Sequence, residues 1–202
     1  MTSSAATEQL ALWTSGFGRD YTERNDRELP GRQGAWQEML TGLPIDSVLE
    51  VGCNVGWNLT YLSRLGPYRL VGIEPQADVV RRGRRRGDQF AILEGDAFDL
   101  PFKDGAFDLV FTSGVLIHIH PRDLPRALAE IERVSRRFVL YIEYDHASEV
   151  EVPYHGRGGA LWKRDHRATW LRAAPHLRPV RGGLWGAARD YDDCSWCLFE
   201  KA

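Results

Sequence analysis

From position 47 onward, short and mostly apolar runs alternate with stretches in which apolar side chains return every three or four residues. The runs fall at 48–51 (closed by Gly52), 70–73, 90–93, 107–111 and 138–142. Runs without polar alternation predict strands buried on both faces, and the amphipathic stretches between them predict the helices that cover those faces. Helices are expected at 58–65, stopped by Gly66 and Pro67, and at 77–86. A third places Leu124, Ala127, Leu128, Ile131 and Val134 on one stripe. Asp123 stands where it can cap this helix, with Pro125 tolerated in the first turn. A helix at 165–174 and strands at 180–184 and 195–200 complete the pattern. The fold class is α/β: a Rossmann-like, doubly wound, mostly parallel seven-stranded sheet with helices on both faces.

Before position 47 the pattern is weaker. Residues 1–30 are polar and rich in turn formers, with scattered aromatics at Trp13, Phe17 and Tyr21, and a short helix is expected at 36–40, ending at Gly42. The chain divides into an N-terminal helical or lid segment, 1–46, and a Rossmann-like domain, 47–202, forming one domain overall.

Composition narrows the function class. With 43% hydrophobic residues in 202, the chain can bury a core without disulfides. A net charge of −2 speaks against a dedicated nucleic-acid binder. Cys53, Cys194 and Cys197 do not make a secreted disulfide framework. The start MTSSAATEQL lacks the basic and apolar regions of a signal peptide, and no apolar run is long enough to span a membrane. The expectation is a cytoplasmic protein acting on a small-molecule substrate, without nucleic-acid or membrane partners, and a possible homodimer.

In open α/β sheets ligands bind beyond the carboxyl ends of the strands. The first strand ends in Glu50-Val51-Gly52-Cys53-Asn54-Val55-Gly56-Trp57. Gly52 and Gly56 permit a tight turn and a close approach of backbone to ligand, and Asn54 is a residue that tolerates the left-handed conformation. A dinucleotide fingerprint needs a small residue where Trp57 stands, and Glu50 would repel a pyrophosphate. The same carboxylate suits S-adenosylmethionine, a phosphate-free nucleoside with an ammonium and a sulfonium. Glu74, followed by Pro75, closes the second strand and can accept from ribose hydroxyls. Asp96, followed by Ala97 after the third, can accept from an adenine amino group. Three acids after three successive strands make a stronger constellation than any one of them. An NAD(P)-dependent oxidoreductase and a non-catalytic scaffold are the alternatives.

The motifs VLEVGCNVGWNL, VGIEP, EGDAFDLPF and FDLVFTSGVLIHI resemble those of class I S-adenosylmethionine-dependent methyltransferases. More narrowly, LWTSGFGRDYTERN, SGVLIHIHP, EVPYHGRGGALWKRD and DDCSWCLFEK resemble the methyltransferase family associated with pseudaminic acid biosynthesis. The resemblance implies S-adenosylmethionine held by Glu50, Gly52, Asn54, Glu74, Asp96 and the segment after the fourth strand. We add Gly56, Pro75, Ala97 and Ser113 as cofactor-binding candidates, with Tyr21 and Arg24 from a lid that also carries Phe17 and Asn25.

On the acceptor side, methyl transfer requires positioning and, for a hydroxyl or a protonated amine, a base. Glu143, His118 and Tyr144 are the catalytic candidates, Glu143 foremost. His146, Tyr154, His155, Arg157, Lys163 and Arg164 are candidates for substrate binding, several of them in a long polar loop. The arginines at 81, 82, 84, 85 and 86 read as a solvated helix face. Cys194 and Cys197, three apart on a strand, face opposite sides and make no metal site. No metal is expected.

Overall fold

The computed structural model describes residues 7–87 and 89–202. Seven strands form one sheet: β1 (Ser47–Val51), β2 (Arg69–Glu74), β3 (Ala91–Glu94), β4 (Phe107–Ser113), β5 (Ser135–Tyr144), β8 (Leu177–Trp185) and β9 (Cys194–Lys201). Their order is β3-β2-β1-β4-β5-β9-β8, with β9 antiparallel to both neighbours and the remaining pairings parallel. The chain order reverses between β1 and β4, which puts the ligand crevice at the end of β1. This is the Rossmann-like architecture of class I methyltransferases.

Alternation along the strands builds two cores. Val48, Leu109, Phe111, Leu140 and Leu198 face α3 (Gly31–Leu40) and α4 (Trp57–Ser63). Leu49, Val110, Val139, Tyr141 and Phe199 face α6 (Leu124–Val134) and α7 (His166–Ala173). Cys194 belongs to the first core and Cys197 to the second, so their sulfurs lie on opposite faces of the sheet. Among the described residues, no helix is long and apolar enough to cross a membrane.

The structure corrects the reading of the first 46 residues. The segment called polar and turn-rich forms α1 (Glu8–Trp13) and α2 (Gly16–Asn25). The Thr7 side chain caps α1 through the Leu10 amide at 3.1 Å, and Ser15 caps α2 through Phe17 at 3.3 Å. The short helix expected at 36–40 begins at Gly31, and its Ala35, Trp36, Met39 and Leu40 are buried in the first core. α3 is therefore part of the domain body; only α1 and α2 overlie it. Residues 1–6 lie outside the described residues.

Three further expectations change. Asp123 precedes α6 in a helical conformation rather than an extended one, so its carboxylate pairs with Arg122 and caps nothing. The arginine run, on and just after α5 (Ala77–Arg84), is not merely a solvated face. Arg82 and Arg86 both pair with Asp26 at the end of α2, and the Arg86 guanidinium lies 3.9 Å over the Trp57 ring. The polar loop after β5 is pinned by a two-stranded ribbon, β6 (Val150–Glu151) with β7 (Trp162–Lys163), whose base buries Ala160, Leu161 and Trp162.

Candidate functional site

The carboxyl ends of β1 and β2, the segments after β3 and β4, and the overlying α1 and α2 enclose one cavity. Counting its open mouth it encloses about 1280 Å³. Its floor is the turn after β1. Gly52 (φ 76°), Asn54 (φ 49°) and Gly56 (φ 83°) are all left-handed, and the Gly52 and Cys53 amides converge on the Ile73 carbonyl at 2.8 and 2.9 Å. A Cβ on Gly52 would sit 2.5 Å from Val115 Cγ2, so only glycine lets β1 run this close to the β4 loop.

Glu50 is 2% exposed. A relay orients it: Trp36 Nε1 donates to Asn58 Oδ1 at 3.2 Å, and Asn58 Nδ2 donates to Glu50 Oε1 at 2.6 Å. Its Oε2 is buried without a partner. Burial raises the carboxyl to about 8, against the Asn58 bond and the positive field of Arg32. Arg32 lines the same cavity, held by the Asp190 carbonyl at 3.1 Å and stacked 4.5 Å from the Tyr191 ring.

Glu74 closes the floor. Its Oε2 accepts from the Asn54 amide at 3.0 Å, and its Oε1 from the Gln76 amide and side chain, each at 3.1 Å. These three bonds leave the carboxylate with spare acceptor capacity for one further donor. Burial raises this carboxyl to about 7, against the bonds from Gln76 and Asn54. Asp96 turns one oxygen onto the Phe98 amide at 2.8 Å and lines the cavity.

On the opposite wall stands His118, in the 3₁₀ turn Leu116–His118 that follows β4. Its Nδ1 lies 2.6 Å from the Ala160 carbonyl. A carbonyl only accepts, so Nδ1 carries the proton and Nε2 presents its lone pair. Burial lowers the imidazole to about 4, so the ring is neutral at ordinary pH.

Residues 49–138 match a methyltransferase domain family. The matched stretch contains Glu50, the glycine turn, Glu74, Asp96 and His118. A curated relative, the fatty-acid O-methyltransferase of Mycolicibacterium smegmatis, is 34% identical over 109 residues, covering 52% of this chain and 39% of that protein. The chain spans less than half the length of three of the curated relatives it matches, at 30%, 39% and 46%. Solved structures match over far more of their length. The Burkholderia thailandensis 1,6-didemethyltoxoflavin-N1-methyltransferase, bound to its acceptor and S-adenosylhomocysteine, superposes with TM-score 0.76 at 20% identity. It covers all of this chain and 92% of that one. The magnesium protoporphyrin IX methyltransferase of Synechocystis, with bound S-adenosylmethionine, gives 0.72 at 16% identity over 99% of this chain and 100% of that one. The fold is that of S-adenosylmethionine-dependent methyltransferases.

The expected site residues divide sharply. Tyr21, Glu50, Gly52, Asn54, Glu74, Pro75, Asp96, Ala97, Ser113 and His118 all line the cavity. Gly56 lies behind the turn, where a Cβ would strike the Phe90 ring at 2.9 Å. Arg24 is exposed and off the cavity wall, because α2 turns it outward while turning Tyr21 in.

The acceptor-side expectations need the larger corrections. Glu143 is fully buried and off the cavity wall. One oxygen accepts from the Val115 and Leu116 amides at 3.1 and 3.0 Å and the other from Ile117 at 3.4 Å, so it holds the 3₁₀ turn in place. Arg164, 2% exposed, donates to the Leu116 and Ile119 carbonyls and pairs with Glu149. Both charges serve the turn that presents His118. Tyr144 donates to Asp192 at 3.3 Å under the Lys163 ammonium, and His146 bonds its own Ser148 turn. The Tyr154 ring touches His118 at 5.1 Å and His155 at 4.5 Å, and Arg157 lies 5.5 Å over the Phe17 ring. These loop residues support the roof and stay off the cavity wall.

Several wall residues were not foreseen: Gln9, Trp13, Arg27, Arg32, Trp57 and Gln76. A signal for the roof was present, since Trp13, Phe17 and Tyr21 recur at four-residue intervals and their rings meet in space at 5.1 and 5.4 Å. Trp57, counted earlier only as an obstacle to a dinucleotide, anchors the roof by donating to Asp26 at 2.9 Å.

Proposed function

We propose that this chain is an S-adenosylmethionine-dependent methyltransferase that methylates an oxygen or nitrogen of a small polar molecule. The carrying observation is the buried, unpartnered Oε2 of Glu50, sharing its cavity with Arg32. A zwitterionic amino-acid end fits that pair, with its ammonium on Glu50 and its carboxylate on Arg32 and Arg27. Gly52, where a Cβ would strike Val115, keeps the β1 turn and the β4 loop close together on this wall of the cavity. A pyrophosphate in the same place would gain no counter-charge from Glu50 and would hold that carboxyl's proton on, whereas a cation draws the proton off, which disfavours a nicotinamide cofactor. Bound here, S-adenosylmethionine supplies an electrophilic methyl group on a sulfonium.

The residues then have distinct tasks. Glu74 offers its remaining lone pair to a ribose hydroxyl, and Asp96 its free oxygen to an adenine amino group. Helices α1 and α2 act as a lid that excludes water. His118 receives through Nε2 the proton that the acceptor gives up as its new bond to carbon forms; its low basicity suits a group that becomes strongly acidic only during transfer. The acceptor in this reading is a sugar, nucleoside or amino-acid-like metabolite; the resemblance to the family associated with pseudaminic acid biosynthesis is compatible with that class and does not select within it. Relatives named for lipid and porphyrin acceptors do not narrow that choice.

Titration calorimetry tests this. The expected result is binding of S-adenosylmethionine and S-adenosylhomocysteine but not NAD, with a large loss of affinity in Glu50→Gln. Tight NAD binding, or an unchanged Glu50→Gln variant, would sink the reading.

A further inference from the structure

Gln9 and Trp13 stand one helical turn apart on α1 and both line the cavity. Gln9 is 7% exposed, and its Oε1 is buried without a hydrogen-bond partner; so is Trp13 Nε1. Beside them the Trp13 ring packs on His118 at 4.4 Å and on Tyr21 at 5.1 Å. His118, with Nδ1 committed to Ala160, has no protein partner for Nε2 among the described residues. One wall thus carries an acceptor, a donor and a second acceptor, set among aromatic faces and all unpaired.

Buried polar groups are ordinarily paired, and leaving one unpaired destabilises the fold. Several such groups on a single ligand-sized wall imply that their partner is the ligand. The wall also lacks formal charge. The ionic residues of the cavity, Glu50, Glu74, Asp96, Arg27 and Arg32, all belong to the half assigned to the methyl donor. An ionised acceptor seated against Gln9, Leu10, Trp13, Tyr21 and His118 would be buried without a counter-charge.

We propose that this wall is the acceptor subsite and that it takes an uncharged, flat ring whose edge carries both a hydrogen-bond donor and an acceptor, as a lactam or nucleobase does. The inference rests on the methyltransferase reading and sharpens it. Gln9 Oε1 and His118 Nε2 receive N–H or O–H groups, Trp13 Nε1 donates to a carbonyl or ring nitrogen, and the ring faces supply apolar area. A fatty acyl chain would leave all three polar groups unpaired, and a sugar acid would add an unpaired charge.

The test uses the full chain saturated with S-adenosylhomocysteine, whose binding is measured first in the same calorimeter. Three probes follow: 2-quinolinone as the neutral lactam, N-acetylneuraminate as the sugar acid and decanoate as the fatty acid. We expect 2-quinolinone to bind and the two anions not to. Gln9→Met and Trp13→Phe should each weaken 2-quinolinone by about tenfold, the loss of one good hydrogen bond. Their affinity for S-adenosylhomocysteine should hold within about twofold on the same scale, with Tm reporting that the variants fold. Preferential binding of either anion overturns the proposal. So do variants that lose S-adenosylhomocysteine rather than 2-quinolinone, since the wall would then read the donor's adenine. Failure of wild-type protein to bind S-adenosylhomocysteine would instead remove the methyltransferase reading, and this inference with it.

Discussion

Glu143 and Arg164 grip the same 3₁₀ turn through complementary groups, the carboxylate taking its amides and the guanidinium its carbonyls. Glu143→Ala leaves three turn amides without their acceptor. Since each buried unpaired amide costs about 1–3 kcal/mol, the expected loss of stability in urea unfolding is about 3 kcal/mol or more. A variant that kept full stability and lost only turnover would make Glu143 the proton acceptor first supposed, and this account of it would be wrong.

The second prediction concerns pH. Burial raises Glu50 to about 8, so at neutral pH the ligand-free protein holds it mostly protonated, and a cationic ligand must displace that proton. Affinity for S-adenosylhomocysteine should therefore climb as pH rises toward 8, by up to about tenfold per unit, and level off above. Calorimetry in buffers of different ionisation enthalpy reads the released proton directly. The stability of the ligand-free protein moves the other way. A carboxyl raised on folding loses stability as pH rises from its unfolded value to its folded one. Glu50→Gln should thus match wild type in Tm near pH 4 and exceed it progressively up to pH 8, while binding the ligand poorly.

Turnover should show no ordinary histidine limb. With the His118 ring lowered to about 4, kcat is expected to be free of any step near the usual histidine range, and the acid side of kcat/KM to follow Glu50 instead. A pH–rate profile with a single inflection near 6.5 would contradict the buried, neutral assignment.

Gly18 tests the roof. A Cβ there would lie 1.8 Å from the Trp13 carbonyl oxygen and 2.6 Å from Gln76 Oε1. Gly18→Ala must push α1 away from α2, because the nearer obstacle is backbone. The expected outcome is faster proteolysis within residues 8–25 and weaker acceptor binding, with the sheet's hydrogen exchange unchanged.

Asp26 fastens the other end of α2, through Arg82, Arg86 and Trp57. Its side chain is 7% exposed while that of Arg82 is 48% exposed, so the cluster is neither fully dry nor freely screened. Asp26→Asn should cost about 2 kcal/mol, less than a fully buried pair. The loss is expected to appear as reduced exchange protection in α2.

The sheet was legible because its strands are covered on both faces and are therefore apolar at nearly every position; 48–51 and 107–111 keep that character apart from Glu50 and Asp108. That Glu50, Glu74 and Asp96 line one cavity was legible for a related reason, since they lie at the ends of β1 and β2 and just after β3, and the fold brings strand ends together. A lid over this end of the sheet was expected, but its two helices were not located, because α2 carries Gly16 and Gly18 and few aliphatic residues, and Gly18 is there for contact with α1 rather than for helix formation. Glu143 was misread because a strand-end acid was assumed to face the ligand, whereas the following turn folds back onto it. Arg32 could not be found from its neighbours at all, because the Asp190 carbonyl that holds it is contributed from the far end of the sequence.

That last contact has a consequence for synthesis. Gly31 and Arg32 are held by Asp190 at 2.6 and 3.1 Å, and Arg189 pairs with Glu38 at 3.0 Å. On a translating ribosome the motifs from 48 to 119 emerge well before residue 190. The nascent polypeptide then still lacks the support that fixes its cavity arginine, so it should gain full affinity for a nucleoside ligand only once residues 189 and 190 have joined the fold.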